Sequence, residues 1–297
     1  MKLLTAIKRL IFNARFHRVN RHYATDPVVG QRAKIEREGK EPVEVLFYYP
    51  EKTEKAPVFV QIHGGAWVGM DAVDDDRYCK RLSEDLGAFV VNVNYKRLYD
   101  KSFPYPQEEV VDTVKWLKEN AEELGIDPEK IVLSGGSAGG HLTAGAAIML
   151  AKQGIKIAGQ IMEVPFLDFT GTIPIDFPEG NKLYDMMFEL YPPQIPLDSE
   201  ELSPAAKISE ETLEKLSKAV VIVCGKDPLH PQGIHYAELL KKHGKLLDLK
   251  MYEEGYHGFG TEKAEEMPLQ NRLREDCYGY KVQKAKELYA LTQEKNR

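Results

Sequence analysis

Short apolar runs of strand length alternate with segments of helical spacing along most of this chain. Runs at 43–49, 57–62, 88–94, 131–133, 157–166, 219–224 and 246–252 are apolar or alternate with period two. Bounded as they are by turn residues, they predict strands. Between them, Val110, Val111, Val114, Trp116, Leu117 and Ala121 fall on one face of a helix predicted over 108–124. Further helices are expected from the Ala/Leu-rich stretch after Ser137 to about 153, over 210–217 and 232–243, and from 271 onward. Strands alternating with helices predict an α/β fold: a mostly parallel sheet with helices on both faces. Ahead of the first strand, Leu3, Leu4, Ile7, Leu10, Ile11 and Ala14 mark an amphipathic helix with Lys8, Arg9 and Arg15 on its other side. Phe12 and Phe16 give that helix a second apolar edge, which favours packing on the rest of the protein over lying on a membrane surface.

Composition narrows the class. The 297 residues are 43% hydrophobic and 29% charged, which suits a globular protein, and no apolar run approaches the length of a membrane span. The net charge of −6 argues against nucleic acid as a partner. Residues 1–40 carry ten Lys/Arg against three Asp/Glu, so the N-terminus is a distinct basic piece. Lys8 and Arg9 interrupt its apolar stretch too early for a signal peptide. Cys79, Cys224 and Cys277 are far apart and in no C-x-x-C arrangement, so no disulfide framework is expected and a reducing cytoplasm is the expected location.

In an open α/β sheet, ligands bind beyond the carboxyl ends of the strands, so the residues just after each run carry the candidate chemistry. After 57–62 comes His63-Gly64-Gly65; after 131–133, Gly135-Gly136-Ser137-Ala138-Gly139; after 219–224, Gly225-Lys226-Asp227-Pro228; after 246–252, Gly255-Tyr256-His257-Gly258. Strand, sharp turn and helix around Ser137 would expose its hydroxyl and aim the first helix amides at whatever attaches to it. A serine needs a base, and His257 is the expected one, with Asp227 fixing its tautomer. Asp168, Glu253 and Glu254 compete with Asp227 for that place. The amides of Gly64, Gly65 and Ala138 are the expected oxyanion donors, with His63 orienting the loop. Asp74, Asp75 and Asp76 are read as carboxylates in the first turn of a helix rather than as a metal site. Neither metal nor cofactor is expected.

These residues together resemble the hormone-sensitive-lipase-like group of α/β-hydrolases, the branch that includes bacterial acetyl esterases and carboxylesterases. The resemblance rests on His63-Gly64-Gly65-Ala66-Trp67, Asn94-Tyr95 with Arg97, Phe103-Pro104, Leu124-Gly125-Ile126-Asp127-Pro128, Gly135 to Gly140, Ser203-Pro204, Asp227-Pro228-Leu229 and His257-Gly258-Phe259. It covers roughly residues 45–260. It implies that Ser137, Asp227 and His257 form a triad, and that a cap is built from N-terminal helices within 1–40 and an insert at about 168–204 of a 41–297 catalytic domain. The chain departs from the pattern at Gly136, where the family often has Asp, at Ala66, where it usually has a third glycine, and at Arg97-Leu98-Tyr99, which lacks the common Ala-Pro.

The expected activity is that of a serine carboxylesterase acting on short- to medium-chain, including acetyl, esters of small molecules, with Trp67, Tyr184, Met186, Met187 and Phe188 lining an apolar pocket. An amidase, formamidase or peptidase on the same fold is the alternative, followed by a non-catalytic module that binds membrane surfaces through residues 1–20. Membrane contact is not expected, and the sequence leaves a homo-oligomer open.

Overall fold

The computed structural model describes residues 23–52, 54–175, 187–192, 196–259 and 267–294. Among these, eight strands form one sheet: β1 Gln31–Ile35, β2 Val43–Tyr48, β3 Ala56–Ile62, β4 Phe89–Asn94, β5 Ile126–Gly136, β6 Gly159–Glu163, β7 Ala219–Cys224 and β8 Leu246–Tyr252. Their order is β1-β2-β4-β3-β5-β6-β7-β8. The strand β2 is antiparallel to β1 and to β4, and every pairing from β4 through β8 is parallel. The described helices are α1 Asp76–Leu86, α2 Tyr105–Glu119, α3 Ala121–Leu124, α4 Ala138–Lys152, α5 Glu210–Lys215, α6 His230–Lys242 and α7 Pro268–Glu294. None of them is long and apolar enough to cross a membrane.

The period of two along each strand decides which helix it meets. Val58, Val60 and Ile62 pack with Val110 and Val114 of α2 and Leu142 of α4. Phe59, one residue out of step, packs with Leu82 of α1 and Leu288 of α7 on the opposite face. Val221 and Val223 of β7 join Tyr236 and Leu240 of α6, while Val220 and Ile222 join the α1 and α7 side. Both faces of the sheet are therefore covered, which is why its central strands read as continuous apolar runs. Each fully buried side chain of this size removes about 2 kcal/mol worth of apolar surface from water.

The chain crosses to β4 on one side of β3 and returns to β5 on the other, so the strand order reverses at the β3/β5 pair. Ile62 lies beside Gly135 in that pairing. The loop after β3 and the turn after β5 thus emerge next to each other at the place where such sheets bind ligands.

Three expectations differ from the structure. Residues 23–40, included in the N-terminal cap, contribute no helix: Gln31–Ile35 is the edge strand β1, with Gln31 and Arg32 exposed and Ile35 buried. An edge strand needs few apolar residues, and this one is also fixed by the Asp76 carboxylate, which accepts the amides of Val29 and Gly30 at 2.8 and 3.0 Å. The helix predicted over 108–124 is divided into α2 and α3 at Asn120, and Gly125 closes α3 in the left-handed region at φ 65°. The strand expected at 131–133 extends over Ile126–Gly136. The amphipathic stretch 3–14 and much of the expected cap insert lie outside the described residues.

Candidate active site

Ser137 sits between β5 and α4 with φ 55° and ψ −116°, a conformation that costs a non-glycine residue on the order of 1–3 kcal/mol. The surroundings hold it there. Its amide donates to the Glu163 carbonyl of β6 at 2.8 Å, and its carbonyl accepts the His141 amide at 3.1 Å. Gly139 is required by close packing, since a Cβ there would stand 2.1 Å from the Ile62 carbonyl oxygen.

Ser137 Oγ lies 2.9 Å from His257 Nε2, and His257 Nδ1 lies 3.0 Å from Asp227 Oδ2. Asp227 is 1% exposed, and its other oxygen accepts the Leu229 amide at 2.9 Å. A buried carboxylate facing Nδ1 fixes the proton on that nitrogen. His257 Nε2 is then left as acceptor for the Ser137 hydroxyl. The structure also places the rival acids. Both oxygens of Asp168 are engaged by its own loop, from Thr170 and from Thr172 and Ile173, and Glu254 pairs with Lys226. Glu253 makes no described contact with His257.

Beside Ser137, Gly64 and Gly65 follow β3. The Gly64 carbonyl accepts His63 Nδ1–H at 2.9 Å and the Tyr95 hydroxyl at 3.1 Å. The Gly65 carbonyl accepts the amides of Val68 and Gly69 at 3.0 and 2.7 Å. With both carbonyls turned into the protein, the two amides donate to no acceptor among the described residues. Ala138 opens α4, so its amide lacks an intrahelical acceptor. Gly65, at φ 96°, has Gly69 O only 2.1 Å from where a Cβ would be. Ala66 keeps the left-handed backbone at φ 53°. His63 is fully buried and stacked on Tyr95 at 4.1 Å, and burial holds its pKa down at about 3. It is a neutral brace for the loop. Arg97 fixes the loop's far end through a 2.6 Å hydrogen bond to the Met70 carbonyl.

A cavity of about 530 Å³ surrounds Ser137. Trp67, Met187 and Phe188 line it, together with Phe166 and Leu229. Trp67 is only 2% exposed and stacks on Tyr191 at 4.5 Å. Its indole N–H donates to His141 Nδ1 at 3.2 Å, while His141 Nε2–H donates to the Leu202 carbonyl at 2.9 Å. His141 therefore joins the loop after β3 to the segment before α5, and burial lowers its pKa to about 4. Tyr184 and Met186 lie outside the described residues.

The remaining wall of the cavity is polar, and no local motif in the sequence marks it. It includes Gln61, Asp74, Asp75, Tyr78, Glu163 and Lys281. Among the three consecutive aspartates only Asp76 lies in the first turn of α1. Asp75 precedes that helix without capping it and accepts Gln61 Nε2 at 2.9 Å, and Asp74 accepts the Asp71 amide. No three His, Cys, Asp or Glu side chains among the described residues are grouped to hold a metal ion.

A family model described as the α/β hydrolase fold matches residues 59–261. The chain is similar to an arylesterase of Saccharolobus solfataricus, with 31% identity over 74% of this chain and 73% of that protein. It is similar to an ethyl acetate hydrolase of Pseudomonas putida, with 28% identity over 72% of this chain and 70% of the relative. Among solved structures, a hyperthermophilic esterase from the archaeon Pyrobaculum calidifontis superposes with a TM-score of 0.76 at 28% identity, covering 97% of this chain and 93% of that one.

Proposed function

The chain belongs to the hormone-sensitive-lipase-like group of α/β-hydrolases and is a carboxylic ester hydrolase, and on that premise we propose that it cleaves short- to medium-chain acyl esters through an acyl-enzyme on Ser137. The observation that carries this reading is the unbroken relay from Ser137 Oγ to His257 Nε2 at 2.9 Å and from His257 Nδ1 to Asp227 Oδ2 at 3.0 Å. In the first step Ser137 Oγ bonds to the ester carbonyl carbon as its proton passes to His257 Nε2, and Asp227 stabilises the imidazolium that forms. The carbonyl oxygen becomes an oxyanion beside the amides of Gly64, Gly65 and Ala138. Each such donor is worth roughly 10²–10³ in rate.

His257 then gives its proton to the ester oxygen as the carbon–oxygen bond breaks, and the alcohol leaves. Water enters, loses a proton to His257 and attacks the acyl carbon. The Ser137–acyl bond breaks as His257 returns the proton to Oγ. The apolar wall of Trp67, Phe166, Met187, Phe188 and Leu229 favours a small hydrocarbon acyl group, held in a cavity of about 530 Å³.

Diethyl p-nitrophenyl phosphate tests the nucleophile directly, because it phosphorylates an activated serine and releases p-nitrophenol. The peptide containing Ser137 should carry the diethylphosphoryl mass in the wild type and none in Ser137→Ala. Labelling of another residue, or none in the wild type, would remove Ser137 from this role.

A further inference from the structure

The cavity around Ser137 is chemically divided by the sheet. Trp67, Phe166, Met187 and Leu229 belong to the apolar core on the α2 and α4 face. Gln61 and Glu163 are in step with Phe59 of β3 and Ile161 of β6, which pack on the opposite, α1 and α7 face, and there they meet Asp75, Tyr78 and Lys281 in the wall of the same cavity. Glu163 and Lys281 pair at 2.6 Å with side chains 11% and 9% exposed, and the Lys281 ammonium lies 4.8 Å over the Tyr78 ring.

Two observations show that this half has room and unmet demand. Gly136, next to the candidate nucleophile, carries no side chain, and a Cβ there would meet nothing closer than the Glu163 carbonyl oxygen at 3.8 Å. The space that a longer residue would take remains part of the cavity. Gln61 is 6% exposed and gives its Nε2 to Asp75, yet its Oε1 has no hydrogen-bond partner. Leaving a buried acceptor empty is costly, and a ligand with a donor group would satisfy it.

We propose that this polar half is a subsite for a hydroxyl-bearing part of the ester, so that the substrate joins a small apolar portion to a hydroxylated one across the bond that Ser137 attacks. The inference rests on the esterase reading of Ser137 and names its substrate class. A hydroxyl fits both signs of the wall, donating to Gln61 Oε1 or Asp75 and accepting from Lys281, whereas an ammonium would meet the Lys281 charge. Burial raises the Asp75 pKa to about 6, which keeps the wall close to neutral in mild acid.

The hydroxylated portion can be the alcohol or the acyl part, and two matched pairs separate these sources: 1-monobutyrin against propyl butyrate, and ethyl 3-hydroxybutyrate against ethyl butyrate. In one pair the hydroxylated ester should have a kcat/KM about tenfold higher, the size of one net hydrogen bond, mostly through KM. That preference should fall about tenfold in Gln61→Leu, which removes Oε1, and in Asp75→Leu, which removes the carboxylate and with it the anchor of Gln61 Nε2, so a folding defect in one leaves the other to decide. Equal or lower kcat/KM for both hydroxylated esters in the wild type overturns the subsite, as does a preference that survives both substitutions. No turnover of any of the four esters would contradict the esterase function itself, and the subsite with it.

Discussion

Glu163 holds Ser137 with its backbone and Lys281 with its side chain: its carbonyl accepts the Ser137 amide at 2.8 Å and its carboxylate pairs with the Lys281 ammonium at 2.6 Å. One residue at the end of β6 therefore ties the turn that presents the candidate nucleophile to the long helix α7, from a position 118 residues away in the chain. Immediately before the serine stands Gly136, and its neighbour across the β5/β6 pairing is Glu163.

Removing one member of that buried pair leaves the other charge uncompensated. Lys281→Met should lower the unfolding free energy by about 3–5 kcal/mol, and the double variant Glu163→Gln/Lys281→Met should recover a large part of the loss. Urea unfolding of the two single variants and the double variant measures this, and equal losses in Lys281→Met and the double variant would contradict the pairing.

Asp227→Asn keeps the shape of the carboxylate but offers His257 a donor in place of an acceptor and favours the wrong tautomer. Ester turnover should fall by roughly 10⁴, with little change in stability or in KM. A loss confined to KM would show that Asp227 serves binding and not the imidazole.

His63 and His141 are buried and neutral, with pKa values lowered to about 3 and about 4 from 6.5, chiefly by burial. Below pH 6.5 the unfolded chain takes up protons on these residues that the folded chain does not. Their contribution to stability is therefore complete above pH 6.5 and is lost progressively as the pH falls toward about 4. His141→Gln retains a donor toward Leu202 and an acceptor toward Trp67 but cannot titrate. Its unfolding free energy should fall less than that of the wild type between about pH 7 and about pH 5, and parallel pH profiles would contradict the account.

Gly139 and Gly136 flank the same serine region but differ in the space around them. A Cβ at 139 would stand 2.1 Å from the Ile62 carbonyl oxygen, whereas one at 136 meets its nearest atom at 3.8 Å. Gly139→Ala should destabilise by more than about 3 kcal/mol, and Gly136→Ala by no more than about 1 kcal/mol. Thermal unfolding compares them, and a reversed order would mean that the turn has a different backbone.

Much of this arrangement was legible in the sequence because it is local. Ser137, Asp227, His257 and the Gly64-Gly65 pair each follow directly on an apolar strand, and a parallel sheet brings such ends together. Parts that depend on distant partners were not legible. Gln31, Arg32 and Lys34 hid strand β1, because an edge strand buries little. Glu163 at the end of an apolar run and Lys281 in a polar helix gave no sign of each other. In the sequence Asp74, Asp75 and Asp76 look like one group, yet they serve the Asp71 turn, Gln61 and the start of β1 separately. The chain's contacts, not its spacing, make that distinction.

The most direct measurement is the initial rate of p-nitrophenyl ester hydrolysis over acyl chains from two to about sixteen carbons, with Ser137→Ala beside the wild type. The account predicts turnover that peaks at short or medium chains in the wild type, falls for long ones that exceed the cavity, and is absent in Ser137→Ala at every length. Equal rates in the two proteins, or a maximum at the longest chains, would contradict it.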